Sequence, residues 1–301
     1  NYRGHRIASM PPPSSGGVHL VQMLNILERF PLAAYGHNGA DSLHVMVEAM
    51  KLAYADRAQH LGDPDFWTVP IKGLTSKAYA NKLSARIDPY RARPSADINH
   101  GDPAPYESNV TTHLSVMDGH GNVVSNTYTL NFSFGTGIVA PGTGILLNNE
   151  MDDFSAKPGV PNAFGLIGGE ANAIHGGKRP LSSMTPTIVF KNGKPVLATG
   201  TPGGSRIITM VLQVLLNVID HGMNIAEATA APRIHHQWLP DKLFVEQGFS
   251  PDTQAVLRQR GHKVTPSRAA GSVQSVMRAP KDGGFLGASD PRSHDSLTAG
   301  H

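Results

Sequence analysis

The sequence predicts a mixed domain of helices and strands, α/β or α+β, on three observations. Apolar residues recur at helical spacing through much of the first 86 positions. From Thr111 onward the pattern turns to alternation in short runs. Between two such runs sits Asn192-Gly193, the pair that best tolerates the positive φ angles of a tight hairpin.

The elements follow in order. After the turn-rich Pro11-Pro12-Pro13-Ser14-Ser15-Gly16-Gly17, the spacing of Val18, Val21, Leu24, Ile26, Leu27 and Phe30 predicts a helix. Ser42 is a candidate cap for a second helix, whose buried stripe is Leu43, Met46, Val47, Met50 and Tyr54. Gly62-Asp63-Pro64-Asp65 ends it, and a weaker third helix covers residues 77–86. Residues 88–110 carry Pro89, Pro94, Pro103 and Pro105 among polar residues and read as an exposed, irregular connector. Strands at 112–118 and 123–130 flank Gly119-His120-Gly121-Asn122, and strands at 187–190 and 196–199 flank Asn192-Gly193. Gly203-Gly204-Ser205 opens an apolar helix over 206–219 that ends near Gly222. Residues 251–260 predict another helix, and 273–277 and 285–287 read as closing strands. No internal repeat is evident.

Composition narrows the chemistry. With 301 residues the chain can bury a real core, and 40% hydrophobic against 16% charged residues excludes a disordered chain. The net charge is only +3 and the basic residues are scattered, so nothing favours nucleic-acid binding. With no cysteine there are no disulfides, no thiolate catalysis and no Cys-ligated zinc. No run reaches the roughly 18 apolar residues of a membrane span. The start, Asn1-Tyr2-Arg3-Gly4-His5-Arg6, has neither an initiator Met nor a signal-peptide pattern and reads as a truncated front end.

Four segments could hold chemistry. Thr111, between the connector and the first strand, would be a poor nucleophile unless it became a chain N-terminus whose own α-amine served as base. Read alone, Thr111-Thr112 is simply a β-branched strand start. Gly203-Gly204 at a helix N-terminus could present backbone N–H groups to an oxyanion, or could be only a turn. It lacks the Gly-Lys-Ser/Thr ending of a phosphate loop and is no Gly-x-Ser-x-Gly elbow. The run Asn148-Asn149-Glu150-Met151-Asp152-Asp153 could hold an ammonium group or a hard cation, or could cap a helix. Ser182-Ser183 could bind a carboxylate or form an ordinary polar turn. His235-His236 are adjacent rather than spaced for one metal, so a structural or surface role is favoured.

Taken together these segments resemble the γ-glutamyltranspeptidases, over essentially the whole chain from Pro11 to Arg292. The sharpest matches are Glu107-Ser108-Asn109-x-Thr111-Thr112-His113 and Gly144-Ile145-Leu146-Leu147-Asn148-Asn149-x-Met151-Asp152-Asp153-Phe154. Pro180-Leu181-Ser182-Ser183-Met184-x-Pro186 and Gly203-Gly204-Ser205-Arg206-Ile207 follow in family order.

The resemblance implies an α+β fold of the N-terminal-nucleophile (Ntn) hydrolase type, an αββα sandwich that is partial at its N-terminal side. It implies self-cleavage between Val110 and Thr111. Residues 1–110 would be the C-terminal part of a large subunit and 111–301 the whole small, catalytic subunit of a heterodimer. Thr111 would attack glutathione or another γ-glutamyl compound, and water or an acceptor amino acid or peptide would resolve the γ-glutamyl-enzyme. Thr129 would tune the Thr111 amine. Asn131, Glu150 and Asp153 would hold the donor's α-amino group, Ser182 and Ser183 its α-carboxylate, and the Gly203 and Gly204 N–H groups the oxyanion. Residues 158–169 resemble the family's lid, with Phe164 where Tyr is frequent, which keeps an apolar cover but has no hydroxyl. No metal or other cofactor is called for. Family members also carry a long N-terminal segment, including an Arg for the substrate carboxylate, that this sequence does not contain. Family habit implies a periplasmic or secreted bacterial enzyme. Two alternatives stand beside this one: a glutaryl-type (cephalosporin) acylase of the same superfamily, against which Glu150 and Asp153 argue, and an inactive truncated fragment.

Overall fold

Helices and two facing sheets stack in layers in a computed structural model that describes residues 1–98, 112–279 and 283–300. The chain opens with strand β1 (His5–Ser9), helix α1 (Gly16–Leu27), the one-turn helix α2 (Leu32–Tyr35) and the long α3 (Ala40–His60). Short helices α4 (Ile71–Leu74) and α5 (Lys77–Ser84) close this part. Strands β2 (Thr112–Met117) and β3 (Val123–Tyr128) form one hairpin, β4 (Thr187–Lys191) and β5 (Lys194–Gly200) another. Then come α6 (Ile207–Ile219), α7 (Ile225–Ala230), β6 (Ile234–His235), β7 (Leu243–Val245) and α8 (Pro251–Gln259). Strands β8 (Val264–Pro266), β9 (Gln274–Arg278) and β10 (Phe285–Ser289) complete the order.

The main sheet runs β1-β4-β5-β9-β10, with every neighbouring pair antiparallel. Antiparallel strands with helices segregated to one face define α+β rather than α/β. Leu20 and Leu24 of α1, Val47 and Met50 of α3, and Ile208 and Leu212 of α6 share one buried cluster with Val189 and Leu197 of the sheet. The β2–β3 hairpin covers the sheet's opposite face. Helices, sheet and sheet therefore supply three successive layers of the expected sandwich. The outer face of the hairpin, with Leu114, Val116, Val124 and Tyr128, is exposed.

The two sheets meet through small polar residues. Pairing His113 with Thr127 and Ser115 with Ser125 puts these four side chains on the hairpin's inner face. Ser115 donates to Gln274 O at 3.0 Å, while Ser125 donates to Thr199 O at 3.1 Å and accepts from Thr187 N at 3.0 Å. His113 is buried and bonded to Thr127 Oγ1 at 2.8 Å and Ser115 Oγ at 3.0 Å. Because the Ser115 proton goes to Gln274 O, Ser115 Oγ accepts from His113 Nε2–H, and Nδ1 accepts from Thr127. Burial pulls the His113 pKa down to about 4, which keeps the ring neutral. Opposite it stands Gly200, where an added Cβ would lie 2.3 Å from His113 Cε1.

Several expectations need adjustment. Helix α3 starts at Ala40 with Gly39 as its cap, so Ser42 lies inside the helix, buried and without a hydrogen-bond partner for its hydroxyl. The connector is not exposed throughout: Ala92, Ser95 and Ile98 are buried, and Trp238 Nε1 donates to Ser95 O and Ile98 O, each at 3.0 Å. Alternation in so short a Pro-rich stretch could not reveal a partner 140 residues away. Strand β1 and the small sheet β6-β7-β8 have no counterpart among the sequence expectations, because runs of two to five residues carry too little periodicity. Asn192 (φ 51°) and Gly193 (φ 77°) form the tight turn their identities imply.

Replacing Gly200 with Ala should destabilise the protein by about 1–3 kcal/mol in urea denaturation, the scale of an overpacked core. The same substitution in a His113→Ala background should cost clearly less. Equal costs in both backgrounds would mean that the inter-sheet gap is not what limits this position.

Candidate active site

The turn from β5 into α6 is built from glycines because its backbone leaves the region open to other residues. Gly203 has φ 144° and Gly204 φ 53°. A Cβ at Gly204 would lie 2.6 Å from Phe164 Cδ1, and one at Gly203 would lie 2.3 Å from Met210 Cε. Among the described residues, neither glycine's N–H is spent on another backbone or side-chain acceptor. The turn is held from behind. Tyr54 O–H donates to Ser205 O, and Ser205 Oγ donates to Gln237 Oε1 at 2.7 Å. Gln237 Nε2 in turn donates to Phe164 O at 3.1 Å, so one buried amide joins the glycine turn to the cover above it.

Below that cover lies a small recess open to solvent. Thr129, Asn131, Asp153, Phe164, Ser182 and Gly204 are among its lining residues. Phe164 is 5% exposed and packs edge-to-face on Phe132 at 5.9 Å. On one side the chain makes a 3-10 turn over Glu150–Asp153. Asn149 braces it, accepting from Phe132 N at 2.9 Å and, through its carbonyl, from Asn131 Nδ2 at 3.1 Å. On the other side is the 181–184 turn. Asn172 ties the two, donating to Asp153 O at 2.7 Å and accepting from Leu181 N at 3.0 Å.

The electrostatics of the recess are divided. Burial, then repulsion from Glu150, pushes the Asp153 carboxyl up to about 8, and burial raises Glu150 as well. The two carboxyls interact, so their titrations belong to the pair, while the Arg57 guanidinium pulls Asp153 the other way. Glu150 Oε1 is buried without a donor. The hydroxyl side has the opposite character. Ser182 Oγ accepts from Met184 N at 3.1 Å and Ser183 Oγ accepts from Arg57 Nη2 at 3.1 Å, which leaves both O–H protons for another acceptor. Such a site can take an ammonium at one end and a carboxylate at the other, with N–H donors at the glycine turn.

The structure thus brings together Thr129, Asn131, Asp153, Ser182, Ser183 and Gly204 around one recess, with Gly203 and Glu150 directly adjacent in the chain or as a carboxyl partner. Thr129 Oγ1 accepts from Asn131 N at 2.8 Å. Val110 and Thr111 lie outside the described residues; strand β2 begins at the next residue, Thr112. His235 and His236 are buried and structural: His235 bonds Thr209 Oγ1 at 2.8 Å, and His236 Nδ1 accepts from Trp238 N at 3.1 Å. Sequence reasoning missed Arg57, Tyr54 as a bracing hydroxyl, and Gln237. Arg57 had a legible signal, since the apolar stripe Met50, Tyr54 continues one helical step onto it and a charge on a buried face is unusual.

Comparison with known proteins gives a consistent picture. The family model described as gamma-glutamyltranspeptidase matches residues 1–300. The glutathione hydrolase proenzyme of Escherichia coli (strain K12) is 62% identical over 301 residues, covering 100% of this chain and 52% of its own length. A mutant gamma-glutamyltranspeptidase of Helicobacter pylori superposes with a TM-score of 0.59 at 55% identity, covering 60% of this chain and 100% of the matched chain. The cephalosporin acylase from Bacillus halodurans superposes with a TM-score of 0.81 at 31% identity, over 97% of this chain and 51% of that one. The chain spans about half the length of the curated relatives it matches.

The raised Asp153 carboxyl has a signed consequence for stability. An unfolded Asp loses its proton near pH 3.9, whereas the folded one keeps it to about 8, so folding is penalised increasingly as pH rises through that window. Asp153→Asn, which cannot titrate, should therefore gain in urea midpoint over the parent at pH 8 and gain little or nothing at pH 4. A gain independent of pH would show that Asp153 ionises normally.

Proposed function

This chain belongs to the gamma-glutamyltranspeptidase family, and from that premise we propose that it is the C-terminal part of a self-cleaving γ-glutamyltransferase and glutathione hydrolase. The observation that carries the reading is the divided recess, with paired carboxyls on one side, two free O–H donors on the other and unspent glycine N–H groups between. A γ-glutamyl donor has that charge pattern: an α-ammonium, an α-carboxylate and, three carbons away, the amide to be opened.

In this reading Thr111 Oγ first attacks the Val110 carbonyl. The resulting ester is hydrolysed, which separates residues 1–110 from 111–301 and frees the Thr111 α-amine. That amine then takes the proton from Oγ as the hydroxyl adds to the γ-carbonyl, with Thr129 bonded to the amine and tuning it. Asn131, Glu150 and Asp153 hold the α-ammonium, and Ser182 and Ser183 donate to the α-carboxylate. The Gly203 and Gly204 N–H groups meet the oxyanion where charge develops, at the positive end of α6. The amine departs with the proton, leaving a γ-glutamyl ester on Thr111. Water releases glutamate from it, or an acceptor amino acid or peptide takes the acyl group. Phe164 shields the ester by apolar packing alone. The two pieces remain together as a heterodimer, and a periplasmic or secreted location follows the family pattern. No helix among the described residues is long and apolar enough to cross a membrane.

The acylase superposition supports a second reading, in which the donor is a glutaryl amide without the α-amino group. Glu150 and Asp153 weigh against it, because a glutaryl donor would bring no ammonium to two half-buried carboxyls.

Two measurements test the proposal on the full-length protein. On a denaturing gel the parent should split into two pieces, the smaller beginning at Thr111, while Thr111→Ala stays whole; unchanged cleavage in that variant removes Thr111 from the role. γ-Glutamyl 4-nitroanilide should be turned over faster than the glutaryl analogue, and the reverse order would favour the acylase.

A further inference from the structure

Arg57 is a buried cation that none of the roles above uses. It is 4% exposed, near the C-terminal end of α3, and its hydrogen-bond partners are hydroxyls, with Asp153 near enough only to interact electrostatically. Nε donates to Ser15 Oγ at 2.9 Å and Nη2 to Ser183 Oγ at 3.1 Å. No Asp or Glu among the described residues lies within ion-pair distance of it. Two other buried cations are matched by an acid: Arg233 pairs with Asp290 at 2.8 Å and Lys51 with Glu48 at 2.8 Å. Burying a charge is costly unless it is paired, so an unpaired guanidinium beside a recess points to an anion that is sometimes present.

The sequence motif at the front of α1 holds this arrangement. Ser15 N and Ser15 Oγ both donate to Ser182 O, at 2.9 and 2.8 Å, and Ser14 Oγ donates to Met184 O at 2.7 Å. Ser182 N donates back to Pro13 O at 3.1 Å. Gly16 is required by the same contact, since a Cβ there would lie 2.2 Å from Met184 O. The 13–16 turn is thus stapled along the 182–184 turn, and Arg57 reaches across the staple to bond both. Since Ser183 accepts from Arg57, its own proton must point elsewhere, toward the recess it lines.

We propose that Arg57 is a positioning residue for the donor's α-carboxylate: it turns the Ser183 O–H toward the bound carboxylate and places a buried positive charge beneath it. This rests on the γ-glutamyl reading of the recess, and adds to it a residue that helps discriminate for a carboxylate at the α-carbon. Asp153 interacts electrostatically with Arg57 and faces the same recess, so it marks the ammonium end beside the carboxylate end.

The test uses the full-length, self-cleaved protein and three anilides: γ-glutamyl, glutaryl (no amine) and 4-aminobutyryl (no carboxylate). Arg57→Met should raise KM about 10- to 100-fold for the two donors that carry the carboxylate, the range for losing a charged hydrogen bond. It should leave kcat within about threefold, and change 4-aminobutyryl turnover by less than about threefold. Arg57→Lys, which keeps the charge but not the fork to both serines, should restore part of the loss. Ser183→Ala should show the same carboxylate-selective pattern, and combining it with Arg57→Met should add little. If Arg57→Met does not fold or cleave, Arg57→Lys and Ser15→Ala take its place, each expected to raise KM severalfold for the carboxylate donors alone. A loss shared equally by all three donors, or confined to kcat, overturns the proposal and leaves Arg57 a packing residue. A parent protein with no γ-glutamyl turnover at all overturns the functional reading itself, and this inference with it.

Discussion

The close approach of the two sheets, hydroxyl to backbone, is the constraint on which the recess depends. Side chains of Ser115 and Ser125 bond Gln274 O, Thr199 O and Thr187 N of the main sheet. Such bonds form only when the layers sit closer than a seam of large apolar residues would allow, and Gly200 is the position that permits it. The seam pins the inner face of β2, and hence the point where that strand starts, against the end of β5. From there the chain runs directly into the glycine turn. A shift of either sheet would separate the start of β2 from the end of β5.

A second set of contacts closes the recess from its sides, and it is built of buried polar groups that satisfy one another. Asn172 spans the acidic and hydroxyl turns, Gln237 links the glycine turn to Phe164, and Asn149 braces Asn131. Buried amides suit this task because each offers a donor and an acceptor at fixed separation, so one side chain can set the distance between two loops. The loops that carry the site are irregular, and these amides give them the rigidity that regular secondary structure supplies elsewhere.

The charges left over after this bookkeeping are few. Burial raises both Glu150 and Asp153, Glu150 raises Asp153 further, and Arg57 hydrogen-bonds hydroxyls alone. Every other strongly buried ion pair described above is internally matched. A site whose acids and base are held apart, each short of a full partner, is primed for a ligand that carries both signs. The same feature costs stability in the empty protein, a familiar exchange at sites arranged for binding rather than for folding.

Much of the fold was legible in the residues themselves. The stripes of α1, α3 and α6, the Asn192-Gly193 turn and the helix after Gly203-Gly204 are local patterns, and local backbone preference and periodicity determine them. The motifs around Asn148, Ser182 and Gly203 lie on loops that the fold brings around one recess. Periodicity could not choose between α/β and α+β, because the direction of strand pairing depends on partners as distant in sequence as His5 and Lys191, paired between β1 and β4. Nor could it show that Ser15 and Arg57 reach Ser182 and Ser183, or that half-burial raises both Asp153 and Glu150. Those facts depend on long-range packing and on the dielectric it creates: a charge has no altered pKa and a hydroxyl no fixed direction until the surrounding chain has excluded water.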